Sequence, residues 1–228
     1  MKLTEKIKKN ILKTQYEDDS HLENLYYLLS KHLTKRNPKS LLDVGCANGD
    51  RTVRIAKYLN INLQNVHGVD CNFKNIAICK NLFNAKAIDL EDTNLSYKSS
   101  SFDLVICNQV LEHLKNYKKV IDDIIRVTSK KGYVAIGIPN LAHLINRLYL
   151  IFGIQPMCLT LNSQHVRGFT HKAFKEMLNK LNDVELVDYR GALIYPLPYN
   201  AAKPLTRYSP GISGYVCYLL KKLGGDRP

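Results

Sequence analysis

With 228 residues, 45% of them hydrophobic and 23% charged, the chain is long enough for a full α/β core and too apolar to be disordered. No run approaches 18 uncharged apolar residues, which argues against a membrane span, and the charged opening MKLTEKIKKN does not read as a signal peptide. Thirty-three basic against twenty acidic residues give a net charge of +13, yet the lysines are spread along the chain without the arginine–aromatic stripe of a nucleic-acid platform.

In chain order, the first 35 residues read as helical. Ser20 and Glu23 form an S-x-x-E capping box, Leu22, Leu25, Tyr26, Leu29 and Leu33 recur at helical spacing, and Pro38 stops the run. The basic stretch 6–13 and the apolar face of Leu22 to Leu33 are expected to cover the entrance for a substrate. SLLDVG (40–45) is a buried strand, 49–59 a helix, NVHGVD (65–70) a strand, 72–81 a helix, AKAID (85–89) a short strand and SFDLVICN (101–108) a strongly apolar one. An amphipathic helix over 116–128 and a fifth strand, GYVAIGIP (132–139), follow. Short apolar strands alternating with helices predict a doubly wound, mostly parallel sheet with helices on both faces.

Beyond Pro139 the pattern changes. NLAHLINRLYLIFGIQP reads as an apolar helix carrying Arg147, 156–168 as a loop, and Thr170 as the cap of a helix to about Leu181. VELVDY and SGYVCYLLKK read as an antiparallel pair at the sheet edge, joined by a Pro- and Tyr-rich stretch without a helix. The whole is expected to be one domain: N-terminal helices (1–37), a ligand-binding core (38–140), a lid (141–182) and a C-terminal strand pair (183–228). The six cysteines stand singly, with no C-x-x-C pair, and suggest reduced thiols in a cytoplasmic protein.

The strand–glycine turn–helix at SLLDVGCANGD invites a nucleotide-like ligand. A dinucleotide fold wants G-x-G-x-x-G; here only Gly45 and Gly49 stand, with Ala47 between them, and Asp43 would repel a diphosphate. LDVGCANGD instead resembles the first motif of class I S-adenosylmethionine-dependent methyltransferases, D/E-x-G-x-G-x-G, with Ala47 in place of the middle glycine. Four further stretches follow in the family's order over about 38–140: VHGVD, AKAIDLED, FDLVICNQVLEHL and KKGYVAIGIPN.

The resemblance implies a seven-stranded sheet with an antiparallel C-terminal strand and S-adenosylmethionine as cofactor. It implies that the backbone of Gly45, Cys46, Ala47 and Gly49 approaches the amino-acid part of the cofactor, with Asp43 receiving its ammonium group. Asp70 would accept the ribose hydroxyls, with Cys71 against the adenine edge. Asp89 would accept the adenine amino group, beside the backbone N–H of Leu90. Asn108 and Gln109 would line the floor near the methyl group. In ubiquinone-type O-methyltransferases the stretch similar to 109–113 is E-x-x-E-H, a metal site; here Gln109 replaces the first glutamate, and no metal is assigned.

A transferred methyl group suits O-methylation of a small-molecule, glycan or lipid-linked acceptor, with His113 and His165 as candidate bases. The block from 139 to 170 resembles an insertion in a subset of these enzymes, and Arg147, His165 and Arg167 are expected to bind the acceptor. Nucleic-acid methylation is the alternative raised by the charge, and peripheral membrane contact stays open with it. Against the former, NQVLEH lacks the Asn/Asp-Pro-Pro-aromatic turn that holds an exocyclic amine. A nicotinamide reductase is opposed by the broken phosphate fingerprint, and a cofactor-free binding protein by the acids at 43, 70 and 89.

Overall fold

The structure is a computed structural model that describes residues 22–224. Ser20 and the basic stretch 6–13 lie outside the described residues. Seven strands form one sheet: β1 (Leu41–Val44), β2 (Val66–Asp70), β3 (Asn84–Ala87), β4 (Phe102–Asn108), β5 (Thr128–Pro139), β6 (Val184–Ala192) and β7 (Tyr215–Lys222). Their order is β3-β2-β1-β4-β5-β7-β6. The first five run parallel, and β7 inserts between β5 and β6, antiparallel to both.

Each central strand is apolar on both sides, as a doubly covered parallel sheet requires. Leu42, Val44, Val105 and Cys107 pack on one face, with Val120, Ile121 and Ile124 of helix α4 (Tyr117–Val127) and Phe174 of α6 (His171–Asn179). Leu41, Leu104 and Ile106 pack on the other. There they meet α1 (Glu23–His32), α2 (Asp50–Tyr58) and α3 (Phe73–Cys79). The period of two along β4 sends alternate residues to opposite layers.

The structure corrects the expected course at three places. The apolar face of α1 does not cover a substrate entrance: Leu25, Leu28, Leu29 and Leu33 are buried in the core. Asn24 donates to the Arg190 carbonyl, and Lys31 and His32 both meet Asp188, so the helix is fastened to β6. The apolar stretch after Pro139 yields only a short helix, α5 (Leu144–Ile151). A helix, α7 (Tyr199–Tyr208), lies between β6 and β7 where none was expected. Pro204 reads as a breaker in sequence, since it lacks a donor; the helix packs on β6 regardless and buries Ala202 and Thr206.

Among the described residues no helix is long and apolar enough to cross a membrane, and all six cysteines are free thiols.

Because α1 belongs to the core, Leu29→Ala should cost about 2–5 kcal/mol of stability, the range for truncating a buried leucine. Urea denaturation checks it; unchanged stability together with a raised acceptor KM would return the helix to the substrate entrance.

Candidate active site

All four residues of β1 are buried, and the chain must turn sharply where the strand ends. Gly45 and Gly49 do this at φ of 79° and 83°. A Cβ on Gly45 would lie 2.2 Å from Cγ2 of Val110, so only glycine fits there. Ala47 also sits at positive φ, 48°, a left-handed conformation that costs an L-residue about 1 kcal/mol. The turn is held from beside it: the Ala47 N–H donates to Oδ2 of Asp70 at 2.9 Å, and the Gly45 and Cys46 N–H groups both donate to the Val69 carbonyl.

A cavity of about 490 Å³ opens on this turn at the C-terminal ends of β1, β2 and β4. This is the point where strand order reverses, the usual ligand crevice of an open α/β sheet. Eight of the predicted cofactor residues line it: Gly45 and Ala47 of the turn, Asp70 and Cys71 after β2, Asp89 and Leu90 after β3, and Asn108 and Gln109 at the end of β4. Asp70 accepts from the N–H of Asn72 at 2.9 Å as well as from Ala47, and Asn72 in turn caps α3. Asp89 accepts the Glu91 N–H at 3.0 Å. Asn108 is buried, and Gly137 makes room for it: a Cβ there would lie 1.7 Å from the Asn108 amide oxygen.

Three predicted residues do not reach this cavity. Asp43 is fully buried beneath the turn, accepts from the Thr52 hydroxyl at 2.6 Å and lies 3.5 Å from Arg51. Burial pushes its carboxyl pKa up, opposed by Arg51 and Thr52. Cys46 turns into the core, its sulfur 3.9 Å from that of Cys79. Gly49 serves as the N-cap of α2. The sequence reading missed Arg51. It donates to the Gly45 carbonyl at 3.0 Å and lines both this cavity and a second one. Its Nε is buried with no hydrogen-bond partner among the described residues.

The second cavity, about 720 Å³, adjoins the first; the two share Arg51, Gln109, His113 and Gln164. Its wall carries Glu112, His113, His143 and His165. Glu112 and His113 lie on a single helical turn, Leu111–His113, that follows β4. The Glu112 carboxylate is 1% exposed, and neither oxygen has a hydrogen-bond partner among the described residues. Burial raises its pKa to about 7. The Glu112 carbonyl accepts the N–H groups of Val166 and Arg167 at 2.9 and 3.1 Å, which draws the 156–168 loop onto the end of β4. His113 and His165 thereby meet edge to face, ring centres 4.7 Å apart.

Arg147 and Arg167 do not line the cavity. Arg147 donates to the carbonyls of Ala142 and Gly211. Arg167 donates to the Lys115 carbonyl and stacks on Tyr117. Both guanidiniums satisfy loop and turn carbonyls that the chain leaves open. His143, absent from the sequence reading, is 5% exposed, and burial lowers its pKa to about 4.

A doubly wound sheet with one antiparallel inserted strand, and a glycine turn facing a cleft at its switch point, defines the Rossmann-like methyltransferase class. The methyltransferase domain model matches residues 35–182, and the chain belongs to that family. It is 32% identical over 106 residues to norajmaline N-methyltransferase of Rauvolfia serpentina, covering 44% of this chain and 36% of the plant enzyme. It is 29% identical over 160 residues to an uncharacterized protein of Methanocaldococcus jannaschii, covering 68% of this chain and 64% of that one. The chain thus spans about a third of the plant relative. Among solved structures, the [4+2]-cyclase SpnF superposes with a TM-score of 0.62 at 16% identity, over 92% of this chain and 87% of that one. The N-methyltransferase NodS of Bradyrhizobium japonicum, in complex with S-adenosylhomocysteine, superposes with 0.60 at 15% identity, over 91% and 89%. At these identities the structures show a shared fold.

His143 fixes a pH dependence. Its folded pKa lies below the ordinary histidine value of 6.5, so the stability tied to its neutral form is complete above 6.5 and is lost as pH falls toward 4. A gap of this size corresponds to roughly 3 kcal/mol. Thermal melts from pH 7.5 to 4 should show a smaller acid loss in His143→Phe than in the wild type; parallel curves would mean that His143 charges without penalty.

Proposed function

We propose that the protein is an S-adenosylmethionine-dependent methyltransferase acting on a hydroxyl of a small-molecule acceptor, a class that extends to glycan- and lipid-linked acceptors. The observation that carries this reading is the junction of the two cavities: a cofactor-sized cleft at the switch point opens, past Gln109 and His113, into a chamber of small-molecule size. In this reading Asp70 accepts the ribose hydroxyls with the carboxylate lone pairs left by Ala47 and Asn72. Asp89 and Leu90 flank the adenine, and the free Nε of Arg51 meets the carboxylate of the cofactor's amino-acid part.

Methyl transfer is an in-line displacement on a sulfonium that is already activated, so positioning supplies much of the rate. An acceptor hydroxyl must lose its proton as the methyl group arrives. His113 stands at the junction, and a tautomer that donates Nδ1–H to the Gln164 carbonyl at 3.2 Å leaves Nε2 as the basic atom. His165 and the 141–182 segment close the acceptor side as a lid. A second reading, N-methylation of an amine, is favoured by the N-methyltransferases among the similar proteins, norajmaline N-methyltransferase and NodS included. It uses the same junction, and turnover with paired hydroxyl and amine acceptors of one scaffold separates the two.

Asp70→Ala should weaken S-adenosylhomocysteine binding by about 2 kcal/mol, the scale of a hydrogen bond to a charged group. Calorimetry on the folded variant checks it, and unchanged affinity would remove Asp70 from the cofactor site. His113→Ala should lower turnover about 100-fold while cofactor affinity is kept. Near-normal turnover from pH 6 to 9 would leave positioning as the whole of catalysis.

A further inference from the structure

The stretch that aligns with E-x-x-E-H has lost its first carboxylate to Gln109, and on sequence alone that loss removed the metal. The fold brings a different third group to the place. Glu112, His113 and His165 each offer one ligand atom, and these atoms all lie within 4.8 Å of one another. The first two come from the turn after β4 and the third from a loop some fifty residues further along the chain.

Two features make this more than proximity. Both oxygens of the buried Glu112 lack a donor among the described residues. Each imidazole has Nδ1 against a backbone carbonyl, His113 against Gln164 at 3.2 Å and His165 against Cys158 at 2.8 Å. A carbonyl can only accept, so Nδ1 carries the proton and Nε2 of each ring is left as a lone pair. That is the outer hydrogen bonding by which proteins orient metal-binding histidines. The cluster therefore sets a buried carboxylate without donors beside two imidazoles against the wall of a cavity, a combination that calls for a cation.

We infer that Glu112, His113 and His165 bind a divalent transition-metal ion, with the remaining coordination positions open to the acceptor cavity. Two imidazoles and one carboxylate suit zinc, iron or nickel, whereas magnesium wants oxygen donors. Replacing a carboxylate by an imidazole thus changes which ion the site prefers. Ligand atoms around a tetrahedral ion lie on the order of 3.3 Å apart, so the trio has to draw in by no more than roughly 1.5 Å from its present separation. Bound there, the ion would occupy the Nε2 lone pair of His113 and, in place of a general base, would ease the loss of the acceptor's proton by Lewis acidity. It would also join the loop carrying His165 to the end of β4, beyond the two backbone hydrogen bonds already made to the Glu112 carbonyl.

The site lies in the acceptor cavity of the proposed function, but its test needs neither cofactor nor acceptor. Chelator-treated full-length protein is titrated calorimetrically with ZnCl₂ and with MgCl₂. One Zn²⁺ per chain should bind, about 100-fold or more tighter than Mg²⁺, as the ligand types require. Glu112→Gln and His165→Ala should each weaken Zn²⁺ binding by about tenfold or more. His32→Gln, on the opposite layer, should leave it unchanged. Zn²⁺ should also slow proteolysis within 156–168 in the wild type and not in His165→Ala. Circular dichroism verifies that each variant is folded. Zn²⁺ affinity that survives both ligand substitutions, or equal affinity for Mg²⁺, would overturn the assignment. Zinc binding as expected without any binding of S-adenosylhomocysteine would leave the metal site standing and sink the methyltransfer reading instead.

Discussion

A carboxylate closed off from water, Asp43, sits beneath the first turn of α2, and the geometry of both cavities descends from it. A buried charge left alone would cost several kcal/mol, so Arg51 and Thr52 must stay where they reach it. Both stand in the first turn of α2, and this fixes how that helix leaves the glycine turn. Arg51 spends its remaining contact on the Gly45 carbonyl. The strand end, the left-handed turn and the wall shared by the two cavities are thereby one mechanical unit.

Residues 38–140 were legible because their elements follow local rules. Buried parallel strands are short apolar runs, turns need glycine, and helices show their period. The resemblance put Gly45, Asp70 and Asn108 beside a cofactor, and they do line the cleft, each at or next to the C-terminal end of its strand. Cys46 does not, since one residue of rotation inside a turn decides between cavity and core. Arg51 looked like any exposed helix residue until Asp43 was seen to need it. Pro204 argued against a helix that packing on β6 supports. Most of all, His165 and Glu112 meet through backbone hydrogen bonds between distant segments, which no local pattern records.

The second cavity differs in charge from what the arginines at 147 and 167 suggested in sequence. Arg147 and Arg167 are consumed by backbone carbonyls, so they brace the 141–168 segment and present no cationic surface to the cavity. Among the described residues lining that cavity, Arg51 and Glu112 alone carry formal charge, and Arg51 is already engaged by Asp43.

The placement of β7 has a bearing on how the protein is made. It is the last strand among the described residues, yet it occupies an interior position and pairs along both sides. On a ribosome, β5 and β6 would emerge while the strand that belongs between them has not been synthesised. The nascent chain therefore carries two open edges until residues 215–222 are free, and open edges are templates for pairing with other chains. Any interruption of translation before that point would release a sheet with a slot where its seventh strand belongs.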